Sequence, residues 1–404
     1  MASPGNPSFE SEGAETDVDI CTSDLGAGAD NLAPTGQPCK ENTGWRRIVR
    51  NFTPSWFSVN MGTGIVSVLL HNLPYNAYWI QVISYIFFAL NIVLFTVFFA
   101  ITVARYLLYP EIFVVMLKHP AQSLFLGCLP MGFATIVNMI VFVCAPWGDA
   151  FIYLAWGLWW VDAAVSAICC LTIPFVAAHH HRRQLDQITA ALLLPVVPVI
   201  VASASGGIVA EVLPNASHAV TTVVVSYVLM GLGQFFSFYI LAIYLLRLQV
   251  HDLPPREVLV SVFLPVGPLG QGGFGIQQLG KVCLELFPRA QALGAVGVDP
   301  MRGGEVAYVL GVVGALCMWG AALGWLTFAL ISIFSIKRFP FNMGWWGFTF
   351  PLGVFTTCTG LMAEELSSGF LRVLTTAASG EMFNAPCLKD LRPKEQQGGC
   401  DRTA

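Results

Sequence analysis

The chain has 404 residues, of which 55% are hydrophobic and only 11% charged, and its formal net charge is −4. Soluble domains carry about 25% charged residues, so the composition excludes an ordinary soluble enzyme or regulator. The mildly acidic balance gives no electrostatic footing for nucleic acid, and a protein that crosses a membrane several times remains.

Residues 1–44 form a separate region. Eight acidic residues lie between Glu10 and Glu41 among many Ser, Gly, Pro and Ala. Such a segment cannot bury enough apolar surface to fold alone. It reads as a disordered cytoplasmic tail, either simply solvated or regulatory. The first apolar run follows about fifty polar residues. No cleavable signal peptide is therefore expected, and the first span itself would act as the targeting signal.

Residues 45–366 read as a transmembrane anion-transport domain. A span needs ~20 mostly apolar residues. Nine segments qualify: 54–71, 78–104, 123–146, 151–178, 188–210, 217–246, 257–279, 304–335 and 345–363. Those at odd positions carry a proline followed closely by small and hydroxyl residues, beginning at Pro54, Pro130, Pro195, Pro265 and Pro351. Those at even positions mostly do not. Proline and glycine free backbone groups that lipid cannot satisfy, and they are tolerated where neighbouring helices or water satisfy them. The pattern predicts an all-α membrane protein of helix hairpins repeated around a central axis, its broken members lining a path for a solute.

Basic residues alternate between loops. Lys40, Arg46, Arg47 and Arg50 precede the first span; pairs follow at Arg105 and Lys118, Arg182 and Arg183, Arg247 and Arg256, and Lys337 and Arg338. The intervening loops are nearly free of Lys and Arg, except for Lys281, Arg289 and Arg302 after the seventh span. The positive-inside rule therefore puts the N-terminus in the cytoplasm.

One ionisable side chain falls clearly inside a span: Asp162, in the run Trp159–Asp162. Inserting a carboxylate at mid-bilayer costs ~2.5–3.5 kcal/mol. Two readings stand: a hydrogen-bonded anchor between helices, or a proton-coupling carboxylate. Glu211, Glu364 and Glu365 fall near span ends on the outer side, where they are interfacial or shape the mouth. No Lys or Arg lies deep in a span. A fixed cation there would hold an anion too long, and conduction needs binding weak enough for release. Hydroxyls, amides and helix N-termini meet that need. The candidate lining groups are Asn60, Thr63, Thr135, Asn138, Ser203, Ser205, Gln271, Thr356 and Thr357. Each alone is as well explained by packing; their concentration on the proline-bearing segments favours a pore. Phe348 and Phe350 stand just before Pro351, where an aromatic ring either packs or swings as a steric and dewetting gate.

The eleven cysteines are scattered, with no zinc or disulfide spacing. His179, His180 and His181 end the fourth span. They read as a polar helix end or, in a membrane-embedded enzyme, as a metal site; consecutive histidines on a helix point in different directions. No metal, cofactor or nucleotide-binding motif is expected.

The run Asn51–Ser67 resembles the opening of the fungal sulfite efflux pumps. These belong to the tellurite-resistance/dicarboxylate transporter family, which also includes the plant slow-type anion channels. Trp159–Asp162, Leu194–Pro198 and Trp345–Gly353 support the resemblance, which runs from about 45 to about 375. It implies ten helices in five hairpins, odd helices around a central pore, and often a homotrimer. It also implies a phenylalanine gate in the ninth helix, carried over to Phe350 with Phe348 as the fallback. The implied activity is sulfite export across the plasma membrane, downhill in the membrane potential and without ATP. A malate-type dicarboxylate carrier would need positive groups that the spans do not offer; a nitrate or chloride channel is a further reading. One departure stands out. Phe370–Ala378 begins as an apolar run but turns polar from Ser379 to Pro386. Residues 367–404 therefore read as a divergent tail, with the tenth helix missing or degenerate.

Overall fold

The computed structural model describes residues 44–180, 184–251, 254, 256–294, 297–335 and 346–387. The acidic tail (but for Gly44), His181, Arg182, Arg183, Lys337, Arg338, Trp345 and the stretch after Cys387 lie outside the described residues. Those described are helical, with no β-strand among them.

A short helix α1 (Trp45–Asn51) leads into α2 (Phe57–His71), which pairs with α3 (Tyr78–Leu108). The linking helix α4 (Pro110–Lys118) follows. The second hairpin is α5 (Cys128–Cys144) with α6 (Asp149–His180), and the third is α7 (Val197–Val212) with α8 (Ala216–Val250). The fourth is α9 (Val266–Ala290) with α10 (Pro300–Phe334), and the fifth is α11 (Trp346–Glu365) with α12 (Gly369–Cys387). The first member of each hairpin packs against the first member of the next, from α2 through α5, α7 and α9 to α11. Helix α11 packs back on α2 and closes the ring.

Sequence explains which helix goes inside. An inner helix meets neighbours on both flanks as well as its own partner, so it needs small residues all round. In α7 every residue from Val197 to Ala210 is buried, among them Ala202, Ser203, Ala204, Ser205, Gly206 and Gly207. In α3, by contrast, only Ser84, Asn91 and Arg105 are buried out of 31 residues. Its Ile86, Leu90, Val93 and Val97 are exposed, as expected of a helix that faces lipid. Helix α10 meets α9 through Gly304, Gly311 and Ala315, the small-residue seam that lets membrane helices approach closely. Five helical segments, Tyr78–Leu108, Gln122–Trp147, Asp149–His180, Ala216–Val250 and Pro300–Phe334, are long and apolar enough to cross a membrane.

Two expectations are corrected. The prolines of the odd spans do not generally break helices in mid-membrane. Pro54 opens a 3-10 turn ahead of α2, and Pro198 and Pro268 lie in the first turns of α7 and α9. There the missing N–H would have no intrahelical partner anyway. Of the prolines that begin the five motifs, only Pro351 lies past the first turn of its helix, in α11. A helix also stands where the tenth span reads as missing, though it is not among the segments long and apolar enough to cross a membrane. Helix α12 has 19 residues, about 28 Å at 1.5 Å per residue, and it packs on α11. Its polarity serves packing: Thr375 and Ser379 are buried, and their hydroxyls donate to Leu371 O and Thr375 O at 2.8 Å each.

Candidate functional site: the axis of the helix ring

The five inner helices enclose a small axial cavity. Its wall takes Ile65 from α2, Thr135 and Asn138 from α5, Val201 from α7 and Gln271 from α9. Phe350, Val354 and Thr357 complete it from α11, and no charged side chain lines it. The cavity holds about 20 Å³, room for roughly one water by the usual ~10–15 Å³ criterion and too little for an oxyanion. Phe350 closes its wall and is itself only 3% exposed.

Next to it lies a wider chamber of about 150 Å³ at the C-terminal ends of the inner helices. Val68, Asn72, Phe142, Ile208, Phe274 and Thr357 line both spaces, so the two adjoin. Charge first enters here, from Glu211, Lys281 and Glu364. These lie in the C-terminal parts of α7, α9 and α11, so those helices run in the same sense and their N-termini face the other side of the ring. Helix N-termini carry about half a positive charge each.

Helical spacing places these groups in stripes. On α9, Gln271, Phe274, Gln278 and Lys281 stand three, four and three residues apart and run from the inner cavity to the chamber. On α11, Phe350, Val354, Thr357, Leu361 and Glu364 do the same. Residues so spaced share one face of a helix.

Of the candidate lining groups, the structure brings Thr135, Asn138, Gln271 and Thr357 to the inner cavity, and Thr356 and Thr357 to the chamber. Their donors differ in kind. The hydroxyls of Thr135, Thr356 and Thr357 donate to the backbone carbonyls of Gly132, Leu352 and Gly353. The side-chain amides at the inner cavity are those of Asn72, Asn138 and Gln271.

Asn60 and Ser203 turn away from the axis. Asn60 Nδ2 donates to Asn91 Oδ1 of α3 at 3.1 Å, and Ser203 Oγ donates to Ser226 O of α8 at 2.6 Å. Both tie an inner helix to its outer partner. Thr63 and Ser205 are buried and line neither space. Phe348, the alternative gate, packs against Phe263 with ring centroids 6.1 Å apart, away from the axis. The rings that sequence reasoning passed over are Phe142 and Phe274; the i+3 step from Gln271 to Phe274 was the available signal.

Asp162 is 2% exposed on the outer helix α6, and neither carboxylate oxygen has a hydrogen-bond partner among the described residues. It lines neither space. Asp162→Asn is therefore expected to leave the pH dependence of transport unchanged, measured as initial flux between pH 5 and 8. A flattened profile would return the residue to a coupling role. Among the described residues no three His, Cys, Asp or Glu converge as metal ligands.

A closed ring of membrane helices around a narrow axial cavity, with no charged side chain among its described lining residues, is the architecture of a membrane channel or carrier for small solutes. The chain belongs to the voltage-dependent anion channel family, whose sequence pattern it matches over residues 51–383. It is 49% identical over 352 residues to the sulfite efflux pump of Arthroderma benhamiae, covering 87% of this chain and 92% of that one. The sulfite efflux pump of Candida albicans is 29% identical, over 84% of this chain and 72% of its own. A malic acid transport protein of Schizosaccharomyces pombe is 26% identical, over 79% and 72%.

Proposed function

We propose that this protein exports sulfite across the plasma membrane, with its N-terminus in the cytoplasm, as a homotrimer of independently conducting subunits and without enzymatic activity. The observation that carries the reading is the 49% identity to a sulfite efflux pump along nearly the whole membrane region. Physical chemistry supports it. The N-termini of the inner helices offer partial positive charge to an arriving anion. The amides of Asn138 and Gln271 then replace part of its hydration with neutral donors, which hold without trapping. An inside-negative potential drives each exported charge outward by about 2.3 kcal/mol per 100 mV. Malate is the second reading, motivated by the Schizosaccharomyces pombe relative. Two carboxylates would call for more than one fixed cation, and among the described residues the inner cavity and the chamber together offer only Lys281.

The test is efflux of sulfite, malate, nitrate and chloride from vesicles containing the purified chain. Sulfite efflux well above the other three is the expected result. Malate efflux at a matching rate would overturn the assignment in favour of a dicarboxylate carrier, and equal nitrate and chloride efflux in favour of a general anion channel.

A further inference from the structure

The chamber at the C-terminal ends of the inner helices contains the one cation that lines either space among the described residues, Lys281. Its Nζ lies 3.9 Å from Glu211 Oε1 on α7 and 3.9 Å from Glu365 Oε1 on α11. Both separations exceed the ~2.7–2.9 Å of a charge-assisted hydrogen bond. Lys281 makes no hydrogen bond among the described residues, and its side chain is 38% exposed. The two carboxylates are held by other groups. Gln278 Nε2 donates to Glu211 Oε2 at 2.7 Å, and the Tyr308 hydroxyl of α10 donates to Glu365. They stay in place when the ammonium turns away, and the ammonium keeps its donors for a visitor.

We infer that Lys281 is the specificity-determining cation of this chamber: it holds a small oxyanion transiently and sets the preference for doubly over singly charged ones. Glu211 and Glu365 act as built-in competitors that keep the hold short. The inference rests on the transport reading above. The α9 stripe makes Lys281 the next polar group after Gln278 for a solute that has passed Phe274. Asn72, Thr356, Thr357 and Thr375 line the same chamber, with Glu364 as a further carboxylate at its wall.

The energetic logic is one of contact against distance. An anion in direct contact with the ammonium interacts at shorter range than it does with Glu211 and Glu365, whose nearest oxygens lie 3.9 Å from that ammonium, and Coulomb forces fall with distance and with screening. A dianion gains twice the contact attraction of a monoanion and meets twice the repulsion from Glu211, Glu364 and Glu365, so its preference rests on the ammonium being the nearest charge. Release follows because each departing anion is replaced by the two carboxylates already aimed at Lys281. A lysine without them would retain its anion, against the requirement that conduction needs weak sites.

The experiment measures sulfite, nitrate and chloride flux in vesicles for the parent chain, Lys281→Gln, Lys281→Arg and the double variant Glu211→Gln/Glu365→Gln. In Lys281→Gln, sulfite flux is expected to fall about tenfold, the lower end of electrostatic focusing effects, while nitrate and chloride fall much less. Lys281→Arg keeps the parent preference. The double variant, with its ammonium released from both carboxylates, reaches half-saturation at about tenfold lower sulfite. Unchanged sulfite preference in Lys281→Gln would overturn the inference. So would an equal loss for all three anions together with a lower melting temperature, because Lys281 would then merely pin α7, α9 and α11 together. A parent chain that carries nitrate and chloride but no sulfite would instead overturn the proposed function, and the subsite for dianions would fall with it. The ratio of variant to parent thus separates the two failures.

Discussion

Replacing Phe350 with alanine is expected to raise basal anion flux at least about tenfold, equivalent to about 1.4 kcal/mol off the barrier. The ring is almost wholly buried in the wall of a cavity with room for about one water. Beside it the wall is aliphatic, from Ile65, Val201 and Val354. A constriction of this kind blocks ions both by bulk and by dewetting. The next residue, Pro351, has no N–H for the carbonyl of Gly347 one turn back. The first turns of α11 are thereby less tightly tied, which gives the ring room to move without unwinding the helix. Phe348→Ala is the matched control, because that ring packs on Phe263 outside the cavity. Flux in vesicles, normalised to folded protein, measures both variants. Unchanged flux in a well-folded Phe350→Ala protein would remove this residue as the gate and shift attention to Phe142 and Phe274. Equal increases in both variants would point to general loosening of α11.

The hairpin repeat was legible in the sequence because small residues and prolines recur at the start of alternate spans. Their role was only partly legible. An apolar run does not mark where its helix begins, so Pro198 and Pro268 read as breaks although they start helices. Helix α12 was missed for a related reason. Hydropathy measures suitability for lipid, whereas Thr375 and Ser379 face protein and satisfy their hydroxyls within the helix. The same ambiguity divided the candidate lining groups. Asn60 and Asn138 are chemically identical, yet one is spent on Asn91 and the other borders the cavity. Residue type cannot tell the axis from the hairpin seam; rotation about the helix can. Once Gln271 is placed, the steps to 274, 278 and 281 bring in Phe274, Gln278 and Lys281. Lys281 had already stood out as an exception to the alternation of basic loops, and the structure places it in the chamber wall.

Gly64→Ala should be strongly destabilising, lowering stability by about 2–3 kcal/mol, the upper part of the range for overpacking a filled core. An added Cβ would fall 1.9 Å from Thr135 Oγ1, 2.6 Å from Thr135 Cβ and 2.7 Å from Asn91 Nδ2. None of these atoms can easily give way. The Thr135 hydroxyl donates to Gly132 O at 2.7 Å and accepts from Asn91 Nδ2 at 3.1 Å. Asn91 in turn accepts from Asn60. Rotating either side chain breaks a buried hydrogen bond, at about 1–3 kcal/mol for each group left unsatisfied. Helix α2 must therefore back away from α3 and α5 together. Helix α5 carries Thr135 and Asn138 at the cavity wall, so transport should suffer along with stability. Gly157→Ala on the outer helix α6 is the control: nothing lies within 4 Å of its added Cβ, and a change within about ±0.5 kcal/mol is expected. Thermal unfolding in detergent, read beside sulfite flux, measures both. A Gly64→Ala protein as stable and as active as the parent would mean that α2 can shift without loss, and the close seam between α2, α3 and α5 would not be what fixes the width of the passage.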